Sequence, residues 1–260
     1  MPRIEQLSTS IINKIAAGEV IERPASAVKE LIENAVDAGA TRVDVTIEEG
    51  GSRLIRVVDN GHGIAADQLE LAIASHATSK IRSADDLFSV RTLGFRGEAL
   101  ASISEVSQMT LRSRTADEEV GNRIEISGGQ RSVLRPTGCP TGTLIEVRNL
   151  FFNTPVRRKY LKTVQTEMGH ITEAFTRIAL VFCDVHFSIQ HNGRLIHDLP
   201  AVDNWKDRIA HFFGRDLAQG LIWVESEIDD VVISGYVADP TFFRSHTRMQ
   251  YLYLNGRHIR

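Results

Sequence analysis

The sequence is poor in cysteine and has no long apolar run. Its two cysteines, Cys139 and Cys183, have no metal-ligand spacing and form no disulfide framework. No stretch of about 18 consecutive apolar residues occurs, so no membrane-spanning helix is expected. The first six residues lack the apolar core of a signal peptide. These absences predict a cytoplasmic protein in a reducing environment.

The chain also has little excess charge of either sign. Its net charge is −3, so the chain has no overall electrostatic attraction to nucleic acid. Any DNA contact needs a local basic patch. The hydrophobic content of 42% is enough to bury one large core or two modest ones. Composition therefore indicates a globular protein of one or two domains.

Hydrophobic periodicity predicts a mixture of helices and strands in three parts. Residues 1–20 are expected to form an N-terminal arm with one helical turn, 21–203 a first domain, and 204–260 the start of a second. Helices are predicted over 24–38, 67–75, 97–103, 166–181 and 205–213. Strands are predicted over 43–47, 54–58, 109–114, 123–127, 143–147, 187–190, 194–196, 221–224, 231–237 and 251–254. Residues 77–97 have no regular pattern over a length that is typical of a functional lid.

The first long helix carries an unusual polar face. Glu30, Asn34 and Asp37 follow one another at i, i+4 and i+7, with Glu33 beside them. An ordinary solvated face is one interpretation. Two features argue against a solvated face. We expect no basic partner at helical spacing to balance the carboxylates. An amide among acidic side chains also suits a hard cation that keeps most of its coordinated water molecules. A carboxylate one turn from that amide is placed to take a proton from an attacking water.

Two glycine-containing segments follow. Asp59 leaves a strand and precedes Gly61 and Gly63, so its carboxylate can accept from an amine while the glycines allow close approach of a ligand; a simple turn is the alternative. Gly94 and Gly97 directly precede a predicted helix, where backbone N–H groups favour phosphate. No Walker-type motif is present, and Gly61 and Gly63 lack the third glycine of a dinucleotide fingerprint. A nucleotide would therefore need another architecture.

These segments together resemble the four motifs of the GHKL ATPase superfamily, which DNA gyrase, the ninety-kilodalton heat-shock chaperone, histidine kinases and MutL share. In order, the matching strings are 30–37 (ELIENAVD), 59–64 (DNGHGI), 94–99 (GFRGEA) and 142–147 (GTLIEV). The MutL family of DNA mismatch repair proteins is more similar still. The strings that carry this closer resemblance are 16–24 (AAGEVIERP), 76–80 (HATSK), 93–103 (LGFRGEALASI) and 150–159 (LFFNTPVRRK).

The resemblance implies a fold and a cofactor. The fold is α+β, a two-layer α/β sandwich in which helices cover a mixed, mostly antiparallel sheet, followed by part of a second domain like ribosomal protein S5. The cofactors are ATP and Mg2+. The family's proteins act as homodimers whose N-terminal regions close on ATP, like a clamp between the mismatch sensor MutS and a downstream repair nuclease or helicase. The implied location is the bacterial cytoplasm, at the nucleoid during repair.

The resemblance also implies roles for individual residues. Glu30 is the expected general base, and Asn34 the expected magnesium ligand. Asp59 is expected to accept from the adenine amino group, supported by Thr143 and a water. Gly63 is expected to leave room for the base, and Asp37 either supports the motif or contacts the nucleotide directly. The expected phosphate-covering residues are Thr78, Ser79, Lys80, Leu93, Gly94, Phe95, Arg96, Gly97 and Leu100.

A basic cluster follows Pro155, formed by Arg157, Arg158, Lys159 and Lys162. It is either a solvated helix start or a site of salt-sensitive, sequence-independent DNA contact. The second-domain lysine that the family brings to the γ-phosphate is expected beyond Arg260, so weak ATP turnover is predicted for this chain.

Three functions from different classes are compatible with the motifs. They are a mismatch repair ATPase, a chaperone-like or topoisomerase-like ATPase, and a DNA-binding scaffold with a vestigial nucleotide site. Residues 76–80 and 94–103 favour the first over the second, and intact Glu30 and Asn34 argue against the third. A histidine kinase is disfavoured because no phosphoacceptor helix precedes the motifs.

Overall fold

A computed structural model describes residues 6, 9–81, 86, 92–94, 97–229, 231–242 and 249–259. In the first 199 residues, strands and helices alternate around one large sheet. Within the described part of the chain, no helix is both long and apolar enough to cross a membrane.

The sheet has nine strands and is mostly antiparallel. Along the sheet the order is β5-β4-β3-β7-β2-β1-β8-β9, with β6 paired to β4. Among the strands that the structure describes, the β1–β8 pair alone is parallel. The strand bounds are β1 Arg42–Glu48, β2 Leu54–Asp59, β3 Gln108–Arg114, β4 Gly121–Ser127, β5 Gln130–Arg131, β6 Arg135–Thr137, β7 Gly142–Arg148, β8 His186–His191 and β9 Arg194–Leu199. The sequence predicted the central strands and missed the short β5 and β6.

One layer of helices covers one face of this sheet. Helices α2 (Pro24–Asp37) and α6 (Val164–Val181) pack against each other, and α4 (Ala99–Glu105) lies over β3 and β4. Side chains on the α2 face predicted to be buried, such as Val28 and Ile32, are fully enclosed. The two-layer α+β architecture is therefore confirmed. The helix starts at Pro24 as predicted, and Gly39, at φ +69°, follows its end in the left-handed conformation that glycine adopts without strain.

Residues 9–20 contain more helix than the sequence suggested. Residues Thr9–Val20 form a complete helix, α1, where one turn was predicted. Ala17 is buried in the main core, and Asn13 donates to Glu105 of α4 at 3.2 Å. Helix α1 therefore packs against α4 through one face, while Ile12 and Ile15 stay about half exposed.

The region after residue 204 adds helices and two hairpins. Its elements are α7 Trp205–Phe213, α8 Arg215–Gln219, β10 Leu221–Ile228, β11 Val231–Ala238, β12 Leu252–Leu254 and β13 Arg257–Ile259. The fully buried Arg208 ties α7 to the first region, because its guanidinium donates to the carbonyls of Cys183, Val185 and Leu199. The boundary at 203/204 stays a prediction.

One further expectation differs from the structure. The helix predicted over 67–75 is a single turn, α3 (Leu69–Ala72), preceded by a 3-10 turn. Trp205 and Trp223 are 38% and 44% exposed and stack on each other. Trp223 lies on the β10–β11 hairpin, whose strands pair with each other and leave most of their side chains exposed. The remaining short helix is α5 (Pro155–Tyr160).

Candidate functional site

A cavity of about 1560 Å³ lies beside the polar face of α2 and the ends of β2 and β7. It brings together nearly all the residues that the motifs single out. Those lining it are Glu30, Asn34, Asp37, Asp59, Gly63, Thr78, Ser79, Lys80, Leu93, Gly94, Gly97, Leu100 and Thr143. Phe95 and Arg96 lie outside the described residues.

Asp37 organises one end of this cavity. Its Oδ1 accepts from the backbone N–H of Leu93 at 2.8 Å, and its Oδ2 accepts from that of Gly94 at 3.0 Å. The same Oδ2 lies 2.6 Å from the ammonium of Lys80. One carboxylate on α2 therefore holds both segments that cover the cavity. Of the two roles considered for Asp37, the geometry favours support.

Lys80 connects that carboxylate to the neighbouring amide. Its Nζ donates to Asn34 Oδ1 at 2.8 Å, and its side chain is only 20% exposed. A cation therefore lies against the amide oxygen that the sequence assigned to a metal. Among the described residues, no three His, Cys, Asp or Glu side chains gather into a metal site. A metal here would depend on Asn34 together with oxygens from a ligand and water.

Glu30 and Glu33 share a basic neighbour that the sequence interpretation overlooked. Lys29 lies 3.1 Å from Glu30 Oε1 and 2.7 Å from Glu33 Oε2, the second being an i,i+4 pair. The expectation that this face has no basic partner was therefore wrong. Burial raises the pKa of the Glu33 carboxyl, and the nearby Lys29 ammonium partly opposes that effect.

Asp59 organises the opposite end of the cavity, where β2 and β7 lie side by side. Its Oδ1 accepts from the backbone N–H of Gly61 at 2.9 Å and of Thr143 at 3.3 Å. Burial raises the pKa of the Asp59 carboxyl, and those two N–H donors lower it by a smaller amount. Because both N–H groups fall on Oδ1, the second oxygen is left to accept from a ligand.

Ser113 supports this end, and sequence reasoning missed it. The side chain is fully buried, and its hydroxyl donates to the carbonyl of Gly142 at 2.9 Å. Its oxygen accepts from the N–H of Ile64 at 2.8 Å and lies 2.9 Å from Thr143 Oγ1. The available signal was a serine at an inward-facing position of an otherwise apolar strand face, β3, where Met109 and Leu111 are buried.

Gly63 and Gly97 are required by the backbone around them. Gly63 has φ +75°, and a Cβ there would lie 2.1 Å from the carbonyl oxygen of Arg114. Gly97 has φ +61°, and a Cβ there would lie 2.4 Å from the carbonyl oxygen of Ala77. The close approach of β3 therefore requires a glycine at position 63, whether or not a ligand also lies there. The contact at Gly97 lets the two cavity-covering segments cross.

The basic cluster divides into two kinds of side chain. Arg157 is half-buried, and its guanidinium lies directly against Gly18 of α1, where any Cβ would overlap it. Arg158, Lys159 and Lys162 are exposed. Arg157 therefore packs α5 onto α1, and only the other three are free of that packing role.

Comparison with known proteins agrees with this geometry. Residues 21–137 match the family of histidine kinase-, DNA gyrase B- and HSP90-like ATPases, and residues 209–260 match the C-terminal domain of DNA mismatch repair proteins. The chain is 52% identical over 258 residues to the DNA mismatch repair protein MutL of Xanthomonas oryzae pv. oryzae. It is 49% identical over 261 residues to that of Pasteurella multocida.

These alignments cover 99% of the chain but only 41% and 42% of the two relatives, so the chain spans less than half of their length. Among solved structures, the Aquifex aeolicus MutL ATPase domain complexed with ADP has a TM-score of 0.70 and 35% identity. That match covers 92% of this chain and 84% of the other. The chain therefore belongs to the MutL family of DNA mismatch repair proteins and contains its GHKL-type ATPase domain.

Proposed function

We propose that this cavity binds ATP with Mg2+ and hydrolyses it, as the nucleotide-operated part of a mismatch repair protein. One observation carries the proposal. The buried acceptor Asp59 lies at one end of the cavity, and the N–H groups and ammonium held by Asp37 lie at the other. A purine nucleotide is complementary to this arrangement. Its exocyclic amine can donate to Asp59, and its phosphates can accept from the N–H groups and the ammonium at the other end.

Asp59 gives the adenine end its selectivity. Its free oxygen accepts from the exocyclic amine of adenine, whereas guanine carries a carbonyl oxygen at the equivalent position. With guanine, two acceptors would face each other, and the free energy spent on removing water from the buried carboxylate would not be offset by a hydrogen bond. Adenine nucleotides are therefore preferred over guanine nucleotides.

The residues at the phosphate end fit a magnesium ion. Asn34 Oδ1 already accepts from a cationic group, and magnesium is usually held by few protein oxygens together with phosphates and water. Asn34 would be the protein ligand, and the ion would neutralise charge on the phosphates. Lys80 must release the Asn34 oxygen to allow this, and its ammonium is then free to approach the phosphates while Asp37 keeps residues 92–94 in place.

Glu30 would act as the general base in hydrolysis. Its carboxylate takes a proton from water as the water oxygen bonds to the γ-phosphorus. The bond from that phosphorus to the β–γ bridging oxygen breaks, and ADP leaves with the electron pair. Glu30 lies on the cavity wall one turn before Asn34, so the base and the metal ligand share one rigid helix.

Binding of a fluorescent ATP analogue to the full chain, with and without Mg2+, tests this proposal. We expect saturable binding that ATP reverses and that GTP reverses at least tenfold less well. Displacement by both nucleotides at equal concentrations would contradict the role of Asp59.

Replacement of Lys80 by Met should weaken ATP binding about tenfold, since one ion-paired cation is lost from the phosphate end. The free energy of unfolding should fall by about 1–2 kcal/mol, because Asp37 keeps two backbone donors when its third partner is removed. Calorimetric titration and urea unfolding measure the two effects. Lys206→Met, at a residue outside the cavity, is the control. Equal ATP affinities for the two variants would show that Lys80 does not contribute to nucleotide binding.

Turnover by this chain is proposed to be slow. Lys206 is the single lysine after residue 204, and it lies on α7 away from the cavity. The lysine that the resemblance brings to the γ-phosphate therefore has no counterpart in the cavity among residues 204–260. A single-turnover assay measures this directly, and a rate of ~10 per second, the median for enzymes in general, would contradict it.

The wider role is proposed from family membership. ATP binding would close two copies of the chain into a clamp that couples the mismatch sensor MutS to a downstream nuclease or helicase in the bacterial cytoplasm. The exposed Arg158, Lys159 and Lys162 would contact DNA phosphates, with affinity that falls steeply as salt rises. Light scattering with a non-hydrolysable ATP analogue tests the dimer.

A further inference from the structure

The β12–β13 hairpin is anchored beside the phosphate end of the cavity. The hydroxyl of Tyr253 donates to the carbonyl of Arg177 on α6 at 2.7 Å. Burial raises the pKa of this hydroxyl, which therefore remains a donor throughout the neutral range. Gly256, at the tip of the hairpin, lies against the ring of Phe182, close enough for a Cβ to make ordinary contact at 3.5 Å. These contacts fix where the hairpin ends relative to α6.

From that position the hairpin reaches the segment that covers the phosphates. Arg257 lines the cavity, and its Nη2 donates to the backbone carbonyl of Thr92 at 2.5 Å. Thr92 Oγ1 donates in turn to the carbonyl of Gly94 at 2.7 Å, which closes a tight turn over residues 92–94. The next two N–H groups of the same turn donate to Asp37.

Residues 92–94 are therefore held from two sides that are far apart in sequence. Asp37 of α2 accepts their N–H groups, and Arg257 of the second region donates to their first carbonyl. A hydrogen bond from a guanidinium is roughly twice as strong as one between neutral groups. If the hairpin moved away from α6, residues 92–94 would lose this charge-assisted hydrogen bond from the second region.

We propose that Arg257 is a positioning residue for the phosphate site, through which the second region sets the conformation of residues 92–94. This inference rests on the proposed role of those residues in phosphate binding. Arg257 acts through the Thr92 carbonyl and does not itself need to contact the nucleotide. Its influence should be confined to the phosphate end and should leave the Asp59 end unchanged.

Amide hydrogen exchange of Leu93 and Gly94 in the full chain without nucleotide tests the positioning step. Arg257→Ala should speed exchange at both amides about tenfold, since one charge-assisted hydrogen bond is lost. Arg257→Lys, which keeps a single charged donor, should recover part of the protection. Arg194→Ala, an exposed arginine on another hairpin, should leave both amides unchanged. Unchanged exchange in Arg257→Ala overturns the proposal.

Ligand binding tests the confinement to the phosphate end. Arg257→Ala should weaken ATP binding about tenfold while leaving adenosine, which has no phosphates, bound as in the wild type. An equal loss for both ligands would indicate general destabilisation and overturn the proposal. If the wild type bound neither ligand, the ATPase function would fail, whereas the exchange experiment would still report on Arg257.

A second variant keeps the proposal testable if Arg257→Ala does not fold. Tyr253→Phe removes only the hydroxyl that anchors the hairpin to α6. It should speed exchange at Leu93 and Gly94 in the same direction by about twofold to threefold, and no acceleration would count against the coupling through the hairpin.

Discussion

Replacing Glu30 with Ala is expected to leave ATP binding within about twofold of the wild type and to lower the single-turnover rate by roughly 10²- to 10⁴-fold, the range for loss of a general base. Binding survives because Glu30 contributes a proton acceptor and no contact that holds the adenine or the phosphates. The Lys29 ammonium still has Glu33 as a partner at 2.7 Å, so the helix keeps its ion pair. Calorimetric titration and quenched-flow hydrolysis separate the two quantities.

Glu33→Gln is a closely matched control for this experiment. Glu33 lies on the same helix, lines the same cavity and pairs with the same Lys29, but it is nearly buried and has a raised pKa. If the proximity of a carboxylate to Lys29 were the important feature, both variants would lose turnover alike. We expect Glu33→Gln to hydrolyse ATP at close to the wild-type rate.

Asn34→Ala completes the set, because it should lose the magnesium-dependent part of binding and keep the remainder. Asp37 retains Lys80 in this variant, so the loss reports on the amide oxygen itself. Equal loss of binding in Glu30→Ala and Asn34→Ala would show that this division of labour along α2 is wrong.

The sequence was sufficient to locate α2 and the strand ends because these features depend on local periodicity. Pro24 and Gly39 mark the helix, and apolar alternation marks the strands that bring Asp59 and Thr143 side by side. The polar face of α2 that carries Glu30, Asn34 and Asp37 could be predicted for the same reason, because it follows from helical periodicity. The overlooked partner was Lys29, although its i,i+4 spacing to Glu33 was visible in the sequence.

Contacts between distant segments could not be read in this way. Asp37 holds residues 56 and 57 positions away, Ser113 bridges strands 30 residues apart, and Arg257 reaches Thr92 across 165 residues. None of these pairs has a spacing that a helix or strand repeat would reveal. They depend on the order of strands in the sheet and on where the last hairpin packs, and those are properties of the whole fold.

Replacing Asp59 with Asn should weaken ATP binding by about a hundredfold or more, which corresponds to roughly 2.7 kcal/mol. The N–H groups of Gly61 and Thr143 both point at Oδ1, so the amide oxygen must take that place. The side-chain NH2 group then occupies the free position and meets the adenine amine as donor against donor. Calorimetric titration measures the loss, and wild-type affinity in Asp59→Asn would exclude this carboxylate from adenine recognition.

The same substitution should not destabilise the fold, and its pH dependence distinguishes recognition from structure. Burial raises the pKa of Asp59 in the folded chain, so its stabilising contribution is present below the ordinary carboxyl pKa and is lost as pH rises through the raised value. At neutral pH the ionised side chain is therefore a cost to folding, and Asp59→Asn should unfold at an equal or higher temperature. Wild-type affinity for ATP should fall as pH is lowered through the raised pKa, because the protonated carboxyl is a weaker acceptor. Asp59→Asn corrects for titration of the nucleotide itself, and identical pH profiles for the two proteins would contradict an ionised Asp59 as the acceptor.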